Sequence, residues 1–213
     1  MSSNTFGYIA DTGPEQAFRS NTGVFDPADI NELIAENKWT NFGQLELIET
    51  KTGSGVSAID FTNLGDYNVH FVTMPTMETN STGHPQASKM QLRFSNDGGS
   101  SYESGGSDYQ WANQYVNISG GNGESKDSAD SSIEWTPRCN NGEPTSAYMY
   151  LYNLKDSAKF SFTTSHTTIN LDQGEFFFGS GVYTTAETIN AIRFYNDYSM
   201  TGSFSLYGIK EYS

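Results

Sequence analysis

Cys139 is the single cysteine in a chain of 213 residues. No disulfide can therefore form within the chain, which argues against a secreted, disulfide-stapled module. Basic residues are also few: 11 Lys and Arg face 25 Asp and Glu, for a formal net charge of -14. The cations are scattered, so neither nucleic acid nor an acidic membrane surface is an expected partner. The opening MSSNTFGYIADTG has no basic region and no apolar run, so no signal peptide is expected. No apolar run approaches membrane-spanning length, and membrane insertion is not expected. The chain contains no G-x-S-x-G elbow, P-loop or zinc-protease motif. His70, His84 and His166 are far apart, with no Cys or His at metal-ligand spacing, so neither a metal nor another cofactor is expected. A glycosidase needs two carboxylates facing across a groove. Among 25 acidic residues some such pair is inevitable, so the count carries no weight. No enzymatic activity is expected.

Aromatic residues make up 14% of the chain, and 21 glycines accompany many Ser, Thr and Asn. That composition suits an all-β protein with many turns, its core built on rings. Alternation at period two predicts strands from residue 45 onward. These are 45–50 (LELIET), 56–61, 67–73 with Tyr67, Val69 and Phe71 on one face, 89–95 (KMQLRFS), 109–118, 147–154, 159–164 and 175–183. His70, opposite Val69 and Phe71, is expected on a solvent or inter-subunit face. The run EFFFGSGVY at 175–183 reads as a strand buried on both faces. Residues 189–212 read as two antiparallel strands joined by a turn at Met200-Thr201-Gly202. About nine or ten strands suit an antiparallel β-sandwich over residues 45–213.

Residues 1–44 read as an extended arm and one short helix. Phe6, Tyr8, Ile9, Phe18, Val24 and Phe25 are too many large apolar groups for a solvated tail. They are candidate anchors, either to another subunit or to the chain's own domain. In DPADINELIAENK, Asp26 caps, Pro27 takes the first helical position, and Ile30, Leu33 and Ile34 form one stripe.

Residues 96–143 are rich in Gly, Ser, Asn and Asp, and predict long surface loops flanking one strand, the usual place for recognition. Asn96-Asp97-Gly98-Gly99 has the oxygen ligands of half a calcium loop but lacks a second acidic ligand at the required distance. A tight turn is the favoured reading. Cys139, beside Arg138, could have a lowered pKa, but reads better as an idle small residue in a loop. Tyr148, Tyr150 and Tyr152 share one strand face, with Met149 and Leu151 on the other. With Trp111 and Tyr115 they are candidates for stacking on sugar rings, or for packing between sheets or protomers.

LRFSNDGGSSYESGGSDYQWA (92–112) and the closing SFSLYGIKEY (203–212) resemble jelly-roll domains of tail-fibre and virion-surface proteins of tailed bacteriophages. SAIDFTNL followed by YNVHFV (57–72) fits the same pattern. SNTGVFDPADINELIAENKW leading into GQLELIE is similar to the start of small marine-phage structural proteins. The resemblance implies a jelly-roll-like sandwich in a non-enzymatic virion protein, made in the host cytoplasm and placed on the particle exterior. It further implies a homotrimer, attached to other virion proteins by its N-terminal arm and touching a host glycan or receptor. A head decoration or cement protein is the second reading, and a polysaccharide-degrading enzyme the third.

Overall fold

The computed structural model describes residues 16–17, 20–21, 31, 35, 45–80, 88–136, 139, 141–169 and 174–211. The chain divides into two compact units, Met1–Gln44 and Leu45–Ser213. In the first, β1 (Gln16–Ala17) and β2 (Ser20–Asn21) form a short antiparallel pair. The candidate anchors Phe6, Tyr8, Ile9, Phe18, Val24 and Phe25 lie outside the described residues. Of the helix expected over 26–38 only Asn31 and Ala35 are described, and the helix is not shown.

The second unit is all-β. Its strands are β3 (Leu45–Phe61), β4 (Val69–Thr79), β5 (Met90–Ser95), β6 (Tyr109–Asn117), β7 (Asn122–Asp130), β8 (Ile133–Thr136), β9 (Thr145–Tyr152), β10 (Ser161–Ile169), β11 (Glu175–Tyr183) and β12 (Ala191–Ile209). Every pairing is antiparallel. Along one edge β12 pairs with β3. Along the other, β5 takes its first residues, Ala191 to Tyr195, and β4 takes Met200 to Gly208. The β3–β12 ribbon is thus common to two layers. The larger runs β7-β6-β11-β10-β9-β4-β12-β3, and the smaller runs β8-β5-β12-β3. Strand β8 packs across the core onto β11, β6 and β10, closing the sandwich.

The hairpin expected at Met200-Thr201-Gly202 does not exist. The chain passes through those residues without reversing, and the ladder with β3 slips between Tyr195 and Met200 and again between Met200 and Gly202. Such bulges bend a strand instead of ending it, so one strand can serve both layers. Gly202 is required there, because a Cβ would lie 2.7 Å from the Thr76 carbonyl oxygen and 3.0 Å from Met77 Cα. The two strands expected at 45–50 and 56–61 are likewise one, β3, running through Gly53 and Gly55.

The core lies between the layers. Phe194 is fully buried, with ring centroids 5.0 Å from Trp135, 5.4 Å from Phe204 and 6.3 Å from Phe61. It therefore joins β12 to β8 and β3. Ile192, Phe194, Phe204 and Leu206 point inward as their alternation predicted, with Arg193 and Tyr195 less buried. Arg193 forms a bidentate pair with Asp60 on β3, both bonds 2.7 Å, and lies over the Tyr102 ring.

Two face assignments and one loop expectation need correction. On β4 the inward residues are His70, Val72 and Met74, while Val69 and Phe71 are half-exposed. His70 is thus fully buried rather than on an exposed face, and its Nε2 lies 2.7 Å from the Leu64 carbonyl oxygen. The hydrogen bond satisfies one polar end of the ring, which is what lets histidine replace an apolar residue. Of the three β11 phenylalanines only Phe177 is buried; Phe176 and Phe178 are 39% and 47% exposed, so the strand is not covered on both faces. Residues 122–136, expected as loop, form β7 and β8. Strand β7 is polar on both faces because it is an edge with no layer over it.

Cys139 lies between strands but is buried in the core, with Sγ 2.9 Å from Thr136 Oγ1. Burial pushes its thiol up to about 11, the reverse of activation.

Candidate functional site

Strand register places the outward residues of the larger layer in rows. One row crosses β12, β4, β9, β10, β11, β6 and β7 as Tyr207, Phe71, Tyr150, Thr164, Ser180, Ala112 and Lys126. The row on one side is Val69, Tyr152, Phe162, Val182 and Gln110. On the other side it is Ser205, Thr73, Tyr148, His166, Phe178, Gln114 and Glu124.

The rings in these rows touch. Phe71 lies 4.7 Å from Tyr150, 5.8 Å from Tyr148 and 6.2 Å from Tyr207, centroid to centroid. Tyr150 and Tyr152 stack at 6.3 Å. Tyr148 lies 5.0 Å from His166, and His166 meets Phe178 edge-on at 4.9 Å. The Tyr148 hydroxyl and His166 Nδ1 are hydrogen bonded at 2.8 Å, which fixes both rings. An aromatic band therefore runs across five strands on the outside of the sandwich.

The local cause is an inversion on β10. Its inward positions are Ser161, Thr163, Ser165 and Thr167, all buried, while Phe162 is 43% exposed. Small inward groups are needed because β8 approaches closely. On neighbouring β11, a Cβ at Gly181 would lie 2.7 Å from Ile133 Cγ2. Opposite β8 the large Phe162 side chain therefore points outward. Leaving a phenylalanine in water instead of a core forgoes about 1.5–3 kcal/mol. A contiguous exposed apolar patch of this kind marks a contact surface.

The band is also free of charge. The outward positions of β12, β4, β9, β10, β11 and β6 in these rows carry no Asp, Glu, Lys or Arg. Charge returns only on β7, where Lys126 and Glu124 pair at 2.6 Å.

Of the expected ligand-binding residues, Tyr148, Tyr150 and Tyr152 lie on this face, as their alternation with Met149 and Leu151 implied. Trp111 and Tyr115 do not join them. Trp111 is a core residue, 7% exposed, and donates from Nε1 to Asp130. Tyr115 packs on buried Phe177 at 5.5 Å, on the inner side of β6. Phe71, Phe162, His166, Phe176, Phe178 and Tyr207 were not singled out from sequence, although the period-two pairing of FSF and FFF carried the signal.

Asn96–Gly99 is a turn, with Gly98 and Gly99 at φ 78° and 87°. The Asp97 carboxylate accepts from the Ser101 hydroxyl at 2.6 Å, the Ser101 amide at 2.9 Å and the Ser95 hydroxyl at 2.8 Å. These donors, the Ser101 hydroxyl foremost, pull its pKa down to about 2. Both carboxylate oxygens are engaged in closing the loop. His84 lies outside the described residues, and no cluster of three His, Cys, Asp or Glu suited to a metal occurs among those described. Comparison with protein-family models finds no match for this chain, and comparison with curated proteins finds no similar one.

Proposed function

We propose that the chain is a non-enzymatic recognition subunit, whose β-sandwich binds a surface glycan through the exposed aromatic band. The observation that carries this reading is the uncharged row Tyr207, Phe71 and Tyr150, flanked by Tyr148 and Tyr152. Aromatic rings with hydroxyl tips offer apolar area to the C–H face of a sugar and hydrogen bonds to its rim. One such site is weak, so several copies acting together supply the avidity.

The setting we propose is the exterior of a tailed-phage particle, as a fibre-tip or knob-type subunit. The sequence resemblance supports it, as does the acidic charge that disfavours nucleic acid. In this reading residues 1–44 attach the domain to other virion proteins and the displayed unit is a trimer.

The test is binding of the full chain to an array of bacterial surface glycans, with Tyr150→Ala and Phe71→Ala as variants. Retention of a glycan class by the parent, lost in both variants while melting temperatures hold, is the expected result. If the parent binds no glycan and instead buries the band in a stable oligomer, the recognition reading is wrong.

A further inference from the structure

Beside the aromatic band the same face sinks into a groove. Its floor is the small-residue part of the central row: Thr164 on β10, Ser180 on β11 and Ala112 on β6. Two adjoining hollows share these three residues, of about 810 Å³ toward Phe162 and about 400 Å³ toward Phe178. The two phenylalanines stand as walls on either side of the row, 43% and 47% exposed. The groove therefore continues the line of Tyr207, Phe71 and Tyr150, across the strands rather than along them.

We infer that band and groove form one extended cleft for an uncharged glycan chain lying perpendicular to the strands. The inference rests on the glycan-binding reading above and adds the ligand's charge class, length and direction.

Three features select this occupant. First, the three rows carry no fixed charge from β12 to β6, in a protein of net charge -14. An anionic polysaccharide would meet no free cation there, since Lys126 at the margin is paired with Glu124, and the overall field repels it. Second, rings give way to hydroxyls along the row: Tyr207, Phe71 and Tyr150, then Thr164 and Ser180. Sugar units present the same mixture of C–H faces and hydroxyl rims. An apolar protein helix would leave Ser180 and Gln114 without partners, and a peptide strand would seek a sheet edge, where backbone groups are free. Third, the length fits. Adjacent strands lie about 4.8 Å apart, so the path from β12 to β6 spans about 24 Å, room for about five pyranose units.

The test compares neutral β-linked glucose and N-acetylglucosamine oligosaccharides of two and six units with oligogalacturonate, titrated into the full chain by calorimetry. Ser180→Trp and Thr164→Trp each fill the groove from a different strand, and Tyr150→Ala removes the band. The neutral hexamer should bind at least tenfold more tightly than the dimer. Either tryptophan variant should lose that advantage. Amide chemical shifts of Ala112 and Ser180 should move with hexamer and not with dimer, a readout that needs no variant to fold. Unmoved shifts, or a hexamer affinity equal to the dimer's while Tyr150→Ala weakens both, would overturn the extended cleft and leave the aromatic site standing. Binding of oligogalacturonate alone, or of no saccharide, would overturn both.

Discussion

Phe194→Ala and Phe178→Ala delete the same atoms from the two sides of the sandwich, and their contrast tests the face assignment on which the site depends. Phe194 is fully buried among Trp135, Phe204 and Phe61. Its removal leaves a ring-sized void at the junction of three strands, and large-to-small changes of this kind cost about 3–5 kcal/mol. Three aromatic neighbours place the expectation in the upper half of that range. Domains are stable by about 5–15 kcal/mol, so about a quarter or more of the total is at stake. At about 1–3 kcal/mol per molar in urea, the midpoint should fall by about 1.3–5 M. Phe178 is 47% exposed and touches His166 edge-on. Its removal should cost no more than about 1 kcal/mol, the scale of one aromatic pair. Urea titration followed by far-ultraviolet circular dichroism and tryptophan fluorescence reads both. Equal losses in the two variants, or a loss above about 2 kcal/mol for Phe178→Ala, would refute the claim that its ring is held outside for binding.

His70 should make the fold acid-sensitive. Burial holds its pKa below the usual histidine value, with the Leu64 hydrogen bond opposing, so below about pH 6.5 the unfolded chain takes up the proton more readily than the native one. Its stability term is complete above that pH and declines as pH falls toward the folded value. His70→Gln should flatten the dependence in urea titrations from pH 7.5 to 5, and an unchanged slope would show that His70 is not the source. Cys139 should resist thiol reagents in the native state and react fully in denaturant. Rapid native labelling would contradict its burial and its raised pKa. Gly181→Ala should cost about 1–3 kcal/mol by overpacking against Ile133. Adding Ile133→Ala should then cost less than in the parent, with a coupling above about 0.5 kcal/mol by double-mutant cycle; simple additivity would mean the two do not touch.

Much of the architecture was legible because alternation is a direct imprint of a one-sided sheet. Met149 and Leu151 against Tyr148 and Tyr150 assigned the faces of β9 correctly. Alternation failed where both faces looked alike. On β4, His70 carries an imidazole inward that hydropathy reads as polar, and its bond to Leu64 is a tertiary fact that no local pattern shows. On β10 the inward Ser and Thr reflect the proximity of β8, which comes from a part of the chain that reads as loop. Strand β7 has polar residues on both faces and is defined by pairing with β6 alone. Gly202, which resembles a turn residue, marks a close crossing with β4. The candidate site was therefore half visible. Three tyrosines declared themselves on one strand, while the phenylalanines, the histidine and the groove exist only once five further strands are set in register.

Among the described residues strand β3 finds its only partner in β12: Leu45 pairs with Ile209, and Phe61 with Ile192. On the ribosome the earliest strand of the sandwich must therefore wait for the latest. At about 5–20 residues per second, Phe61 emerges on the order of ten seconds before the residues that cover it. Throughout that interval Leu47, Ile48, Ile59 and Phe61 belong to a nascent chain that cannot yet be zipped shut. Glu46, Glu49, Lys51 and Asp60 punctuate the same stretch, the placement that keeps an unfinished strand from sticking to its neighbours on a polysome.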